Sequence, residues 1–258
     1  MLLLLLACTA DPKPAPSDAD WQPTPGTSWQ IQFSGELDTS LDLDTYDLDL
    51  ADTPDAVFAD LRDRGVALIC YFSAGSYEDW REDAGDFPDT TLGAPLDGWE
   101  GEWWLDIRDP TVLAIMEARL DRAVDRGCDA VDPDNLDGYQ NDNGLGLTAA
   151  DQLAYNRAIA DAAHSRGLAV GLKNDLGQIA DLVDWFDFAV NEECVDYDEC
   201  DLLSPFTDAD KAVFHIEYVD DWSDAAARAA EVCGVGPDLD TLVKTWDLGS
   251  EYQSCEGT

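Results

Sequence analysis

Short apolar or alternating runs recur along the chain: WQIQF (29–33), YDLDL (46–50), VALICYF (66–72), DAVD (129–132), LAVGLK (168–173), FDFAV (186–190), AVFHIEY (212–218) and TLVKTW (241–246). Their length and their content of β-branched and aromatic residues predict strands. Between most of them the apolar period becomes that of a helix. TPDAVFADLRDRG (53–65) offers Thr53 as an N-cap and Gly65 as a stop. DPTVLAIMEARLDRAVDRG (109–127) puts Val112, Ile115, Met116, Leu120 and Val124 on one stripe ahead of Gly127. TAADQLAYNRAIADAAHSRG (148–167) opens with Thr148, spaced three residues from Asp151, a helix-start pattern. DADKAV and SDAAARAAEVCG are shorter helical stretches. Strand, helix, glycine and strand in repeated succession predict an α/β fold, a (β/α)8 TIM barrel forming a single domain over residues 28–258. A doubly wound open sheet is the main alternative, but no Gly-rich phosphate loop follows the first strand. WWLDI (103–107) is a further strand-like piece, expected as an insertion after the third strand. The leucine–aspartate alternation leading into residue 50 predicts a half-buried strand with an acidic outer face.

Ahead of the barrel, MLLLLLAC (1–8) is too short to span a bilayer and lacks the basic start of a complete signal peptide. Leu5-Leu6-Ala7-Cys8 resembles a bacterial lipobox, so residues 1–8 read as a truncated lipoprotein-type signal and residues 9–27 as a Pro-rich linker. An exported protein is expected, at the outer cell surface or in the periplasm. Membrane contact is expected only through a lipid on Cys8, with a soluble secreted protein as the second reading. The other six cysteines are Cys70, Cys128, Cys194, Cys200, Cys233 and Cys255. Cys194 and Cys200 flank a short segment and fit a local disulfide, whereas Cys70 and Cys128 lie in apolar runs that suit buried free thiols at least as well.

The charge changes the picture further. Fifty-six acidic residues against 14 basic ones give a net −42, which argues against a nucleic-acid partner. The acid excess reads either as a solvated surface suited to solubility or high salt, or as attraction for a cationic substrate. No CxxC pair exists and the histidines are His164 and His215 alone, so neither a zinc site nor any cofactor is expected. A calcium loop starting at Asp132 fails as well, with Leu136 at its fifth position, Asn143 at its twelfth and Pro133 interrupting the turn.

Barrel chemistry gathers where the strands end. The predicted strand ends deliver Tyr71, Asp132, Asp134, Asn135, Lys173, Asn174, Asn191, Glu192, Glu193, Glu217 and Tyr218 to one rim. Two carboxylates facing each other across a sugar-sized gap are the minimal equipment for glycoside hydrolysis, one to attack or activate water and one to protonate the leaving oxygen.

ICYFSAGSYEDWR, GCDAVDPDNLDGYQN, GLAVGLKND, AVNEECVDYDEC and VFHIEY, in that order, resemble the endo-α-1,4-polygalactosaminidase family, glycoside hydrolase family 114. The resemblance runs from about Trp29 to Tyr218 and implies a barrel that cleaves α-1,4-linked galactosamine polymers without a metal. It also implies two essential acids, which fall on Asp134 in DPDN and Glu192 in NEEC. By analogy with α-retaining barrel glycosidases, Asp134 is expected as nucleophile and Glu192 as acid/base. Glu193, where many relatives carry Gln, is the rival for Glu192. The expected substrate partner is a cationic or partly deacetylated polysaccharide, met by a monomer. A catalytically silent polysaccharide-binding lipoprotein and a hydrolase of another α-linked amino sugar are the alternatives. Among supporting residues, Lys173 ends an otherwise apolar strand and needs a partner, expected to be Asp134. Asn174 is expected to bind a sugar hydroxyl or orient Asp134. Tyr71 and Trp29 are candidate stacking faces, Asp49 a contact for an amino group, Asp132 a support or substrate contact, and Glu217 a weaker rim candidate.

Overall fold

The computed structural model describes residues 19–235 and 239–255. Cys8, its lipobox-like segment and the first part of the Pro-rich linker lie outside the described residues. Eight parallel strands adjoin one another in chain order: β1 Trp29–Gln32, β2 Thr45–Asp49, β3 Ala67–Ser73, β4 Ala130–Asp134, β5 Ala169–Lys173, β6 Phe188–Glu192, β7 Val213–Val219 and β8 Asp240–Thr245. Helices cover the outside: α1 Asp55–Asp63, α2 Pro110–Arg126, α3 Ala149–His164, α4 Ile179–Leu182, α5 Ser204–Asp208 and α6 Ala225–Val232. This is the expected barrel. The WWLDI piece is also where it was expected, after β3: Glu102–Leu105 is the middle strand of a small antiparallel sheet with Ser76–Glu78 and Leu92–Pro95.

Strand alternation sorts the core into two layers. Ile31, Ile69, Ala130, Phe188, Phe214, Ile216 and Leu242 fill the barrel interior. Leu48, Leu68, Val131, Val170 and Leu172 face outward onto Phe58, Leu61, Met116, Leu120 and Ile159 of the helices. The helix signals act as read for two of the three long helices. Asp109 accepts from the Thr111 amide at the start of α2, Gly127 closes it with φ 75°, and Thr148 and Asp151 cap each other's amides on α3. At α1 the N-cap is Pro54, not Thr53.

Two expectations are corrected. β2 is buried along its whole length, and Asp47 points into the barrel toward Asp132 and Lys173, while Leu48 meets the helices. The acids of the alternating segment thus turn inward here, not out to water. Cys70 and Cys128 are not free thiols but a disulfide, with Cα atoms 6.0 Å apart. It joins Cys194–Cys200 and Cys233–Cys255, and three such bridges belong to a chain matured in an oxidising compartment. Cys194, Cys200 and His215 lie together, but both sulfurs are bound to each other and offer no thiolate. No helix among the described residues is long and apolar enough to cross a membrane.

β1 and β8 share no ladder among the described residues; β8 pairs instead with the short antiparallel strand Gln253–Ser254. Side chains close the gap. Trp29 Nε1 donates to the Asp240 carbonyl at 2.8 Å, and the buried Lys244 donates to Gln30 Oε1 and to the carbonyls of Gly249 and Glu251.

Candidate active site

The carboxyl ends of the strands surround a cleft of about 610 Å³, a volume suited to a few sugar rings. At its centre stands Lys173, at the end of β5. Its Nζ lies 3.3 Å from Asp134 Oδ1 of β4 and 3.6 Å from Glu192 Oε2 of β6. Those two oxygens are therefore no more than about 7 Å apart. Burial works against the ammonium, but Asp134, Glu192 and Asp132 outweigh it and hold its pKa well above the ordinary lysine value.

Each carboxylate has its own retinue. Asp134 accepts from the Asn135 amide at 2.7 Å and from Tyr71 Oη at 3.0 Å. Glu192 accepts from Tyr218 Oη at 2.5 Å and from Asn174 Nδ2 at 3.2 Å, while its own amide donates to Asn174 Oδ1. Burial, followed by the neighbouring carboxylate, pushes both phenols well above their usual range, so each remains a donor. Backbone geometry fixes these positions. The residue after each charged strand end, Asn135, Asn174 and Glu193, is left-handed, with φ 62°, 50° and 60°. Such residues turn the chain sharply off the strand and leave the preceding side chain aimed into the mouth. At Gly75 a Cβ would sit 1.8 Å from the Asn135 carbonyl oxygen, so only glycine lets the exit of β3 pass that of β4.

The walls are acidic and aromatic. Burial pushes Glu102 up to about 7, Asp137 to about 6 and Asp175 to about 8. Trp99, Tyr197 and Trp246 are exposed on the rim, and Trp246 stacks on Tyr218 with centroids 4.2 Å apart.

Of the residues expected from sequence, Asp134, Glu192, Lys173, Asn174 and Tyr71 come together here. Asn174 serves Glu192, not Asp134. Tyr71 offers its hydroxyl to Asp134 while its ring lies on Phe33, centroids 4.3 Å apart. Asp132 lies fully buried beneath the cleft instead of in it. Three candidates are placed elsewhere. Trp29 starts β1 and packs on Phe214 at the opposite end of the barrel from the strand exit that carries Phe33. Asp49 is taken up by Arg81 at 2.8 Å and by the amides of Ala51 and Asp52. Glu217 points away from the barrel axis and, despite its burial, is held below the usual carboxylate range by His215, the Val195 amide and Arg228. Phe33 and Trp246 were missing from the expected set, and Tyr218 stood on the predicted rim without a role. Alternation along β7 was the available signal for Tyr218, since Phe214 and Ile216 face inward and position 218 continues their side.

Fold and rim together define the class, a (β/α)8 glycosidase. Within it, the chain belongs to glycoside-hydrolase family GH114, which it matches over residues 10–258, in agreement with the resemblance of its motifs. It is similar to Aspergillus fumigatus Ega3, whose crystal structure holds galactosamine. The two are 43% identical, 92% of this chain and 98% of that one are covered, and the TM-score is 0.87. The glycoside hydrolase domain of PelA from Pseudomonas aeruginosa shares the fold, with 17% identity, 89% and 98% coverage and a TM-score of 0.67. Comparison with curated proteins gives no match.

Proposed function

We propose that this enzyme cuts an α-1,4-linked, galactosamine-containing polysaccharide within its chain and with retention, Asp134 acting as nucleophile and Glu192 as acid/base. The observation that carries the reading is the single ammonium of Lys173 set between two carboxylates at the bottom of an acidic cleft. Two of their oxygens lie within about 7 Å of each other, at or below the short end of the roughly 6.5–9.5 Å at which inverting carboxyl groups admit a water. The division of roles follows the analogy with α-retaining barrel glycosidases. Asp134 is met by a backbone amide, a phenol and the nearer approach of Lys173. Glu192 is met by a phenol, a side-chain amide and the longer contact to Lys173.

In the first step Asp134 bonds to the anomeric carbon as the glycosidic bond breaks, and Glu192 gives its proton to the departing oxygen. In the second, Glu192 takes a proton from water, whose oxygen displaces Asp134 from the sugar. Lys173 offsets the charge that passes between the two acids. Glu102, Asp137 and Asp175 suit a polymer bearing ammonium groups, because such a guest favours their ionised forms. The galactosamine held by Ega3 points to the same sugar. Exposed Trp99, Tyr197 and Trp246 on the rim support binding of several rings at once. The lipobox-like Leu5–Cys8 supports export with a lipid on Cys8, which intact-mass measurement of the mature protein tests.

The test is release of reducing ends from partly deacetylated and from fully N-acetylated α-1,4-galactosamine polymer, with the first anomer formed read by proton NMR. The expected result is cleavage of the deacetylated polymer, α-anomer first, with little turnover in Asp134→Asn or Glu192→Gln. No cleavage of either polymer overturns the substrate, a β-anomer overturns retention, and wild-type turnover in either variant overturns that residue's role.

A further inference from the structure

Beneath the cleft lie two carboxyl groups that the mechanism above does not use. Asp47 of β2 and Asp132 of β4 both point into the barrel, and both residues are 0% exposed. No donor from any other described residue reaches any of their four oxygens. Two bare carboxylates side by side in a dry interior would repel each other and lack hydrogen bonds, at a cost no fold sustains without compensation. The two carboxyls are neighbours that act on each other's charge, and the one hydrogen available to the pair is its own.

We propose that Asp47 is a neutral, proton-bearing donor that fixes Asp132 below Lys173, making Asp47 a positioning residue for the two acids of the cleft. Asp47 feels Asp132 and Asp134 of β4 and Lys173 of β5; Asp132 feels these and Glu192 of β6. In register with Asp47 on its flanking strands are Ile31 and Ile69, which do not titrate, and in register with Asp132 on β3 is Tyr71. The donor is Asp47 for two reasons. Burial and then the charge of Asp132 keep its proton on, raising it well above the ordinary range, whereas for Asp132 the opposing pull of Lys173 comes next after burial. Burial raises Asp132 to about 7 while Lys173 pulls the other way, so Asp132 is the member that ionises first as pH rises. Above that point its charge shares the ammonium with Asp134 and Glu192. The pair thus adds to the pH response of the site a titration that belongs to neither acid of the cleft.

The kinetic arm of the test rests on the roles proposed for Asp134 and Glu192; the infrared arm does not. In the difference spectrum between the wild type and Asp47→Asn at pH 8, the variant should lose the carbonyl band of a buried protonated acid. The amide of Asn still donates to Asp132, so Asp47→Asn should keep kcat within about threefold and keep the pH profile of kcat/KM. Asp47→Leu, which has no donor, should lower kcat about tenfold or more at constant KM and displace the limb of the profile near neutrality. Loss of carboxylate bands instead of the acid band, or an Asn variant as impaired as the Leu variant, would overturn the proposal. If Asp47→Leu does not fold, the infrared spectrum and the Asn variant decide alone.

Discussion

Lys173 is the residue on which the charge of the cleft turns, because a fully buried ammonium is tolerated only where anions meet it. Lys173→Met keeps much of its volume and leaves two carboxylates facing each other without a counter-charge. Turnover should fall by about 10²–10³ in kcat, measured by reducing-end release, since a fixed charge next to a reacting carboxylate carries effects of that size. Tyr218→Phe removes the shortest donor to Glu192 and should lower kcat about tenfold with KM little changed. At this scale the sequence showed which residues end strands, and the structure brings Asp134, Glu192, Lys173 and Asn174 from those ends into one cleft. It did not show which side of a strand faces the axis at its last residues. Glu217 was favoured over Tyr218 because it is an acid, although the inward Phe214 and Ile216 assign the cleft side to Tyr218. Asp49 and Trp29 lie outside the cleft for different reasons, one held by Arg81, which follows the first strand of the inserted sheet, and one at the far end of its strand.

Among the elements, the exits of β3 to β6 decide the geometry. Gly75→Ala would drive a methyl into the Asn135 carbonyl and tilt Asp134 away from Lys173. Activity should fall well before stability does, which a thermal melt and a turnover assay on the same preparation distinguish. The Cys70–Cys128 disulfide ties the body of β3 to the approach of β4 across 58 residues that include the inserted sheet. Replacing both with Ser should cost about 2–4 kcal/mol, or a Tm lower by roughly 5–15 °C. Elements were the most legible level, since period and caps located β3, α2, α3 and the inserted strand. The disulfide was not legible, because two half-cystines in apolar runs look like buried thiols until β3 and the approach of β4 are placed side by side. Asp47 misled for a related reason: an acid alternating with leucine signals a wet face unless the dry side of that strand happens to be the polar one.

For the whole molecule, acids buried around the cleft make stability depend on pH in a direction opposite to the usual one. Glu102, Asp132, Asp137 and Asp175, raised to about 7, 7, 6 and 8, bind protons more tightly folded than unfolded. Their stabilising contribution is complete below the unfolded carboxylate range, near pH 4, and is lost as pH climbs through those raised values. The net −42 acts in the same sense, through self-repulsion. Tm should therefore be several degrees higher at pH 5 than at pH 8, and salt should narrow the difference by screening the surface share. Melts across that range check both. The barrel is also a ring with one unlike joint: among the described residues β1 and β8 share no rungs, and a lysine, an indole and the Phe33 amide on the Leu248 carbonyl hold that edge. Such a joint is the natural first place for the ring to spring apart. Deuterium should enter amides along that edge about tenfold or more faster than those between β3 and β4, and Lys244→Met should widen the gap.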